Sequence, residues 1–296
     1  MRFEGKCGIT ATVIQDSVCN DTRLTTFELE YPRFIHAEVM THRMLSKNAA
    51  SSRAIPVEKM IEHVKTNTAM PVFWGKNKPG MQAAEEVDNV REAKIAWQIA
   101  RDDAIQAAVN LHDYRGLHKQ ISNRVTEPYQ MMKIVISGTE WVNLLWLRDH
   151  EAAQPEFAEL AKQISKGFET SKPAYLNPGD LHVPYVTRVG TNYYTGDIKL
   201  SRQEALIVSA SCCAQVSYRK SDDSLDKAKQ IYDRLVNTSD GRMHASPFEH
   251  QAWGMYLNSN YFEYGVTHVD IKGQLWSGNF RNWTQHRQTL KGHAKW

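Results

Sequence analysis

Residues Thr25 to Tyr31 read Thr-Thr-Phe-Glu-Leu-Glu-Tyr, and this alternation constrains the chain more than any other stretch. With side chains at period two, Phe27, Leu29 and Tyr31 share one face and Glu28 and Glu30 the other, so the segment predicts a strand with one wet face. Other segments carry the helical period. Val87 to Leu111 places Ile95, Ile99, Ile105, Ala108 and Val109 together, and Phe157, Leu160, Ala161, Ile164 and Phe168 form an amphipathic stripe. Strands and amphipathic helices in one chain predict an α+β fold, with helices packed around an antiparallel sheet.

Local signals place the remaining elements. Pro32 ends the strand, and Arg33 to Leu45 predicts a helix carrying Phe34, Ile35, Val39 and Met40, with His42 and Arg43 at its C-terminal end and a Ser/Asn/Ala-rich loop after it. Pro56 opens a helix through Lys65, where its missing N–H is harmless. Met70 to Gln82, with Trp74 embedded, reads as a packed loop. Gly116 separates the long helix from another over Leu117 to Val125, and Trp141 to Arg148 makes an apolar helical segment ending in a charge. Pro173 to Pro184 reads as a linker or surface turn, and Tyr193 to Ile198 as a hairpin. Ser201-Arg202-Gln203-Glu204 is a capping box that starts a helix through Cys212 and Cys213. A helix over Leu225 to Val236, a strand over Gln251 to Leu257 and a final helix over Phe280 to Leu290 complete the reading.

Composition narrows the class. Hydrophobic content of 42% in 296 residues, with 8 Trp and 12 Tyr, supports a packed core and argues against disorder. A net charge of +3 suits an enzyme for small anions at least as well as a nucleic-acid binder, which concentrates positive charge. No apolar run reaches membrane-span length, and Met1-Arg2-Phe3-Glu4-Gly5-Lys6 lacks the apolar core of a signal peptide. Cys7, Cys19, Cys212 and Cys213 have no metal-ligand spacing and make a poor disulfide framework, so a cytoplasmic protein with free thiols and no metal is expected.

Between Thr41 and Arg53 the chain concentrates His42, Arg43, Lys47 and Arg53 with Thr41, Ser46, Ser51, Ser52 and the amide Asn48, and without an acid. Such a segment has donors for an anion, most simply a phosphate. His42-Arg43, seven residues and Ser51 resembles the signature of the flavin-dependent thymidylate synthases, usually Arg-His-Arg, seven residues, Ser. Further stretches resemble the same family. They are Ser137-Gly138-Thr139-Glu140-Trp141-Val142-Asn143-Leu144-Leu145-Trp146-Leu147-Arg148, then Ala153-Gln154-Pro155-Glu156, Ala214-Gln215-Val216-Ser217-Tyr218, and His244-Ala245-Ser246-Pro247-Phe248-Glu249-His250. The order departs from the family's, because the Ser-Pro-Phe-Glu-His element follows the His-Arg loop here. A permutation or rearranged duplication accounts for that, since termini of compact domains often lie close together. One catalytic domain over 1–296 is expected, with the signature loop and helical part in 1–172 and the normally N-terminal elements in 185–296.

The resemblance implies conversion of dUMP to dTMP, with methylenetetrahydrofolate as carbon source, FAD as hydride carrier, NADPH as reductant and a homotetramer as the assembly. It places His42, Arg43, Asn48, Asn143, Ser217 and Ser246 around FAD, and His244 against flavin or folate. Glu38, Ser51, Ser52, Arg53, Arg124 and Arg148 fall to the nucleotide, with Arg148 favouring ionised uracil N3. The family uses no cysteine nucleophile, and Cys212 and Cys213 read as core residues. Thr41 stands where the family has its first Arg, Ala49 where it commonly has Glu, Glu38 where a Gln reads the base, and Thr139 near a flavin-contacting Arg. Phe280-Arg281-Asn282-Trp283-Thr284-Gln285-His286-Arg287 echoes the approach to the signature and reads as a structural helix. Hydroxymethylation of dUMP or dCMP on the same scaffold, and nucleic-acid binding through Arg43, Lys47 and Arg53, remain the competing readings.

Overall fold

The computed structural model describes residues 1–217, 222–238, 241–257 and 262–294. Its centre is a mainly antiparallel sheet in the order β1-β2-β3-β5-β4, built from β1 (Arg2–Glu4), β2 (Thr10–Cys19), β3 (Thr22–Pro32), β4 (Ser46–Ala49) and β5 (Met131–Gly138). Strands β2 and β3 form a hairpin whose two turn residues, Asn20 and Asp21, take φ of 49° and 54°. Two positive-φ residues match the right-handed twist of the flanking strands, and Asn and Asp tolerate that conformation. Helices α1 (His36–Met40), α2 (Val57–Thr66), α3 (Val90–Val109), α4 (Lys119–Ser122), α5 (Val142–Arg148) and α6 (Pro155–Thr170) surround this sheet. The architecture is α+β, and among the described residues no helix is long and apolar enough to cross a membrane.

The apolar face forms as the alternation predicts. Phe27, Leu29 and Tyr31 meet Ile134 and Ile136 of β5 and Phe157, Leu160 and Ile164 of α6 in one core. Each fully buried large side chain contributes ~1.5–3 kcal/mol. Gly167 lets α6 approach closely, because a Cβ there would stand 2.6 Å from the Phe27 ring.

The opposite face is wet only at one end, where Glu28 and Glu30 are half-buried and Glu30 and Lys133 line an open cleft. Residues 174–294 cover the rest with short strands: β6 (Ala174–Tyr175), β7 (Leu181–His182), β8 (Thr187–Val189), β9 (Asn192–Thr195), β10 (Ile198–Leu200), β11 (Ala252–Gly254), β12 (His268–Val269), β13 (Leu275–Ser277), β14 (Phe280–Arg281) and β15 (Trp283–Gln285). Two helices, α7 (Arg202–Ala214) and α8 (Leu225–Val236), complete the layer. Thr26 is fully buried here and joins a chain of side chains from four elements and the turn before β11. Ser17 Oγ meets His182 Nδ1 at 2.9 Å, His182 Nε2 meets Thr26 Oγ1 at 2.9 Å, Thr26 Oγ1 meets Ser137 Oγ at 2.6 Å, and Ser137 Oγ meets His250 Nδ1 at 2.9 Å. Beside it, Tyr185, at φ 69°, donates its phenol to Glu28 at 3.0 Å, and Lys133 pairs with Glu28 at 3.2 Å.

Four sequence expectations are corrected. The helix over Arg33 to Leu45 stops at Met40, because Ser46 to Ala49 pair with β5 rather than forming a loop, and Lys47 Nζ binds the carbonyls of His42 and Leu45. Pro173 to Pro184 is no surface linker: Leu181, His182 and Val183 are fully buried, and Ala174-Tyr175 pairs parallel with β2. Phe280 to Leu290 is not a helix. Asn282 at φ 59° interrupts it, Trp283 Nε1 donates to Thr22 O, and β15 pairs with β11, so long-range pairing overrides the local pattern. On α3 Ile105 and Ala108 are buried and Trp97 is half-buried, whereas Ile95 and Ile99 remain 45% and 57% exposed. Trp97 decides that orientation, donating to Ala69 O and packing edge-on against Trp74 and Tyr129. The capping box, the Gly196-Asp197 hairpin, α6 and α8 lie where the sequence puts them.

Burial holds His182 and His250 neutral, each lowered to about 3 from 6.5, and lowers His286 to about 4. The unfolded chain binds these protons first, so the stability they contribute is complete above pH 6.5 and is lost as pH falls toward 3–4. The expected slope is ~1.4 kcal/mol per pH unit for each histidine. Urea midpoints measured between about pH 7 and pH 5 should therefore fall, and His250→Asn, which keeps a partner for Ser137, should reduce the slope. A midpoint that ignores pH would mean that these imidazoles are not buried as neutral groups.

Candidate functional site

The signature residues separate into three neighbouring groups around β4. On the α6 side, Arg148 at the end of α5 donates Nε–H to His42 Nε2 at 3.1 Å and pairs through Nη1 with Glu38 Oε2 at 3.1 Å. Its guanidinium carbon lies 4.7 Å from the centre of the Phe157 ring, and the His42 ring meets that ring edge-on at 5.6 Å. Burial, with the charges of Arg148 and Lys47, lowers His42 to about 4, so it is a neutral acceptor. Burial also lowers Lys47 to about 8, against the opposing charge of Glu249. Glu38 makes Arg148 one half of an ion pair, not an isolated cation. Any ligand that uses its charge therefore competes with a carboxylate.

The second group joins segments far apart in sequence. Asn48 donates Nδ2–H to Cys213 O at 2.6 Å and accepts from Ser246 Oγ at 3.0 Å. Strand β4 thus carries Asn48 onto the end of α7 and onto the 3-10 turn Ser246–Glu249. Two segments that resemble one family separately, 214–217 and 244–250, meet the signature strand here. Gln215 to Ser217 form a 3-10 turn, while the Ser217 side chain and Tyr218 lie outside the described residues.

The third group borders a cleft of about 1170 Å³, formed by α2, the Glu30–Lys133 end of the sheet and Val216. Ala50 and Ala54 line it, and Ser51, Ser52 and Arg53, the segment between them, lie at its border without being among the lining residues. Ser52 is buried and Arg53 is exposed. Asn123 fixes this loop by donating to Ser52 O and Ile55 O, both at 2.9 Å, which brings the exposed Arg124 beside it.

Other expected residues stand apart within the chain. Asn143 and Arg43 are exposed, and the exposed His244 donates its backbone N–H to Leu235 O at 2.9 Å. No hydrogen bond or ion pair among the described residues joins the Arg148 group to the Ser51–Arg53 rim. Sequence reasoning missed the roles of Lys47, Arg281 and Gln285. Gln285 donates to Ser46 Oγ at 3.0 Å, while the Arg281 guanidinium pairs with Glu140 at 2.8 Å and the Arg281 backbone N–H donates to Thr139 Oγ1 at 3.2 Å. The resemblance of 280–287 to the approach of the signature was the available signal, and reading it as a helix hid the contacts. Among the described residues no three His, Cys, Asp or Glu side chains converge to hold a metal ion.

No protein-family model and no curated protein matches the chain. It is similar to the crystal structure of a UMP/dUMP methylase, PolB from Streptomyces cacaoi, bound with 5-Br dUMP, at 16% identity and a TM-score of 0.40. The match covers 49% of this chain and 65% of that one, so the chain spans less than two thirds of that protein's length. What the site can do follows from this chain's own residues.

Proposed function

We propose that the chain is a flavin-dependent thymidylate synthase with rearranged element order and a single catalytic domain of that family's fold. It would transfer a one-carbon unit from methylenetetrahydrofolate to C5 of dUMP. The observation that carries this reading is the meeting of Asn48 with Ser246 and with the carbonyl of Cys213. The motif order is rearranged, yet these pieces assemble on one strand, beside a cleft rimmed by the phosphate-suited Ser51-Ser52-Arg53. The cleft exceeds the ~300–1,000 Å³ usual for one small ligand, and it is lined by Ala50, Ile55, Met60 and Met131 together with charged side chains of both signs, Glu30, Glu58, Lys59 and Lys133. When bound, FAD and the folate supply hydride and carbon, and NADPH supplies the electrons.

The chain's own residues bind and polarise. Ser51, Ser52 and Arg53, with Arg124 beside them, take the nucleotide phosphate. Asn48, Ser246, His42 and Arg43 hold the flavin, with Ser217, Asn143 and His244 at its edges. Arg148, stacked on Phe157, offers the free edge of its fork to the base and favours ionised uracil N3, while Glu38 fixes its orientation. A full charge at ~4 Å and effective dielectric ~20 would contribute about 4 kcal/mol, and the Glu38 pair reduces that. The carboxylate also supports a second reading, hydroxymethylation of dUMP or dCMP, because Glu38 can accept from a cytosine amine.

The separation of the groups within one chain supports a shared site in a homotetramer. Val142 and Trp146 leave 79% and 75% of their surface exposed on α5, beside the Arg148 group, and a second copy would cover them.

Titrating dUMP into FAD-loaded protein while recording flavin absorbance tests the reading. The wild type should give a saturable change, and Arg53→Ala should weaken it by ~1.5–3 kcal/mol in apparent affinity, the worth of a charged hydrogen bond. A spectrum unmoved by dUMP, or equal affinity in the variant, would reject the assignments.

Arg148→Lys separates catalysis from packing. Lysine keeps the charge but loses the fork that reaches His42 and Glu38 together. Single-turnover oxidation of pre-reduced flavin should slow much more than nucleotide affinity falls, because the missing interaction strengthens as charge develops on the ring. Both quantities staying within about twofold would make Arg148 a helix-end charge, whose dipole interaction of ~0.3–1 kcal/mol either cation can supply.

A further inference from the structure

Lys47 carries a charge at a core-facing position of its strand. In β4 it pairs with Ile136 of β5, a residue of the core under α6, and its neighbours at period two, Leu45 and Ala49, pack against the same core. Ser46 and Asn48 take the other face and bond to the covering layer. An apolar side chain would complete the alternation, yet a half-buried ammonium stands there. Burial lowers Lys47 to about 8 from 10.5, against the opposing charge of Glu249. At neutral pH the fold therefore holds a charge where packing would accept a methyl group. Such local costs concentrate at functional sites.

The contacts of the ammonium show what it holds. Lys47 Nζ donates to His42 O and to Leu45 O, the latter at 3.1 Å, both in the turn that leads from α1 into β4. The same turn carries the His42 ring. Arg148 Nε donates to His42 Nε2 at 3.1 Å, so the imidazole proton sits on Nδ1 and the ring must stay neutral to accept. Arg148 Nη1 pairs with Glu38 Oε2, and the Thr41 N–H and hydroxyl return to Glu38 O at 3.0 Å and 2.6 Å. Lys47, His42, Arg148, Glu38 and the turn thus form a closed ring of contacts. Within it Lys47 acts on His42 twice. It fixes the backbone, and its charge, added to burial and to Arg148, keeps the imidazole unprotonated. The other ionisable groups that face Lys47 are His36 of α1 and Glu249, which Arg287 holds.

We propose that Lys47 is a positioning residue for Arg148: it clamps the turn that carries His42, and His42 aims the Arg148 guanidinium. The proposal rests on the reading that Arg148 acts on the base. The clamp itself is a property of the free protein and is measurable without any substrate.

Lys47→Met and Lys47→Arg test the inference through two readouts. Methionine is apolar and of similar length, so it suits the core-facing position, whereas arginine keeps the charge and the donors. The first readout is the NMR titration of the His42 ring, assigned by the resonance missing in His42→Asn. In Lys47→Met, His42 should titrate higher by about one unit, because one of its two neighbouring cations is gone. In Lys47→Arg it should stay close to the wild type. The second readout is single-turnover oxidation of pre-reduced flavin. Lys47→Met should slow it roughly ten- to a hundredfold, as misplacing a catalytic group does, and Lys47→Arg should recover most of the rate. The dissociation constant for dUMP should stay within about twofold in both variants.

An unmoved His42 titration in Lys47→Met overturns the proposal, since a side chain that only fills space would give that result. Parallel losses of dUMP affinity and rate also overturn it and make Lys47 a ligand contact. A melting temperature far below the wild type in both variants overturns it too and makes Lys47 a structural tie. If the wild type shows no flavin-linked turnover, the reading of Arg148 falls, and the His42 titration decides the clamp by itself.

Discussion

The polar underside of the central sheet is the constraint on which the rest of the structure depends. Ser17, Thr26, Ser46 and Ser137 face residues 174–294 rather than water, and each is essentially buried. A buried hydroxyl without a partner costs ~1–3 kcal/mol, so the covering layer must supply matched donors and acceptors. His182 and His250 serve the line from Ser17 to Ser137, and Gln285 serves Ser46. These partners come from β7, the turn before β11, and β15, and β11 pairs with both β7 and β15. That small sheet therefore places all three side chains, and its register cannot slip by one residue without turning them away from the serines.

The same constraint organises the candidate site. Strand β4 runs along the edge of the central sheet, with Ser46 and Asn48 toward the covering layer, while Lys47 turns back to the carbonyls of His42 and Leu45. One short strand thereby holds the His42–Arg148 group on one side and the Asn48–Ser246 junction on the other. Beyond its end the chain passes into the Ser51–Arg53 rim and α2, where the sheet stops and the cleft opens. The candidate site is therefore held by a strand, a helix end and turns tied together by hydrogen bonds, which favours preorganisation.

Legibility in the sequence followed the range of the interactions. Strand β3, α6 and α7 carry their signals locally, as alternation, an apolar stripe and a capping box, and all three form as read. His182 was invisible because Pro and Gly around it suggested a surface turn, while its partners Ser17 and Thr26 lie more than 150 residues away. Trp283 and Gln285 likewise answer to Thr22 and Ser46, and those contacts impose extended backbone on a segment with a helical look. The wet face assigned to Glu28 and Glu30 is only half wet for the same reason: alternation reports chemistry on each face, not what packs against it. In the site, the signature spacing pointed to the segment that carries β4 and Ser51–Arg53, although its first part was read as a loop and forms a strand. The engagement of Arg148 by Glu38 is a distance, and spacing does not encode it.

Chemistry at C5 of a pyrimidine nucleotide is the central functional claim, and the mass of the product tests it most directly. Protein supplied with FAD, NADPH, methylenetetrahydrofolate and dUMP should return a nucleotide heavier by one CH₂ unit, with the added carbon traced by isotopic label to the folate. A product heavier by CH₂O would instead support the hydroxymethyl reading. Unchanged dUMP and dCMP, from protein shown to bind both flavin and nucleotide, would contradict the account.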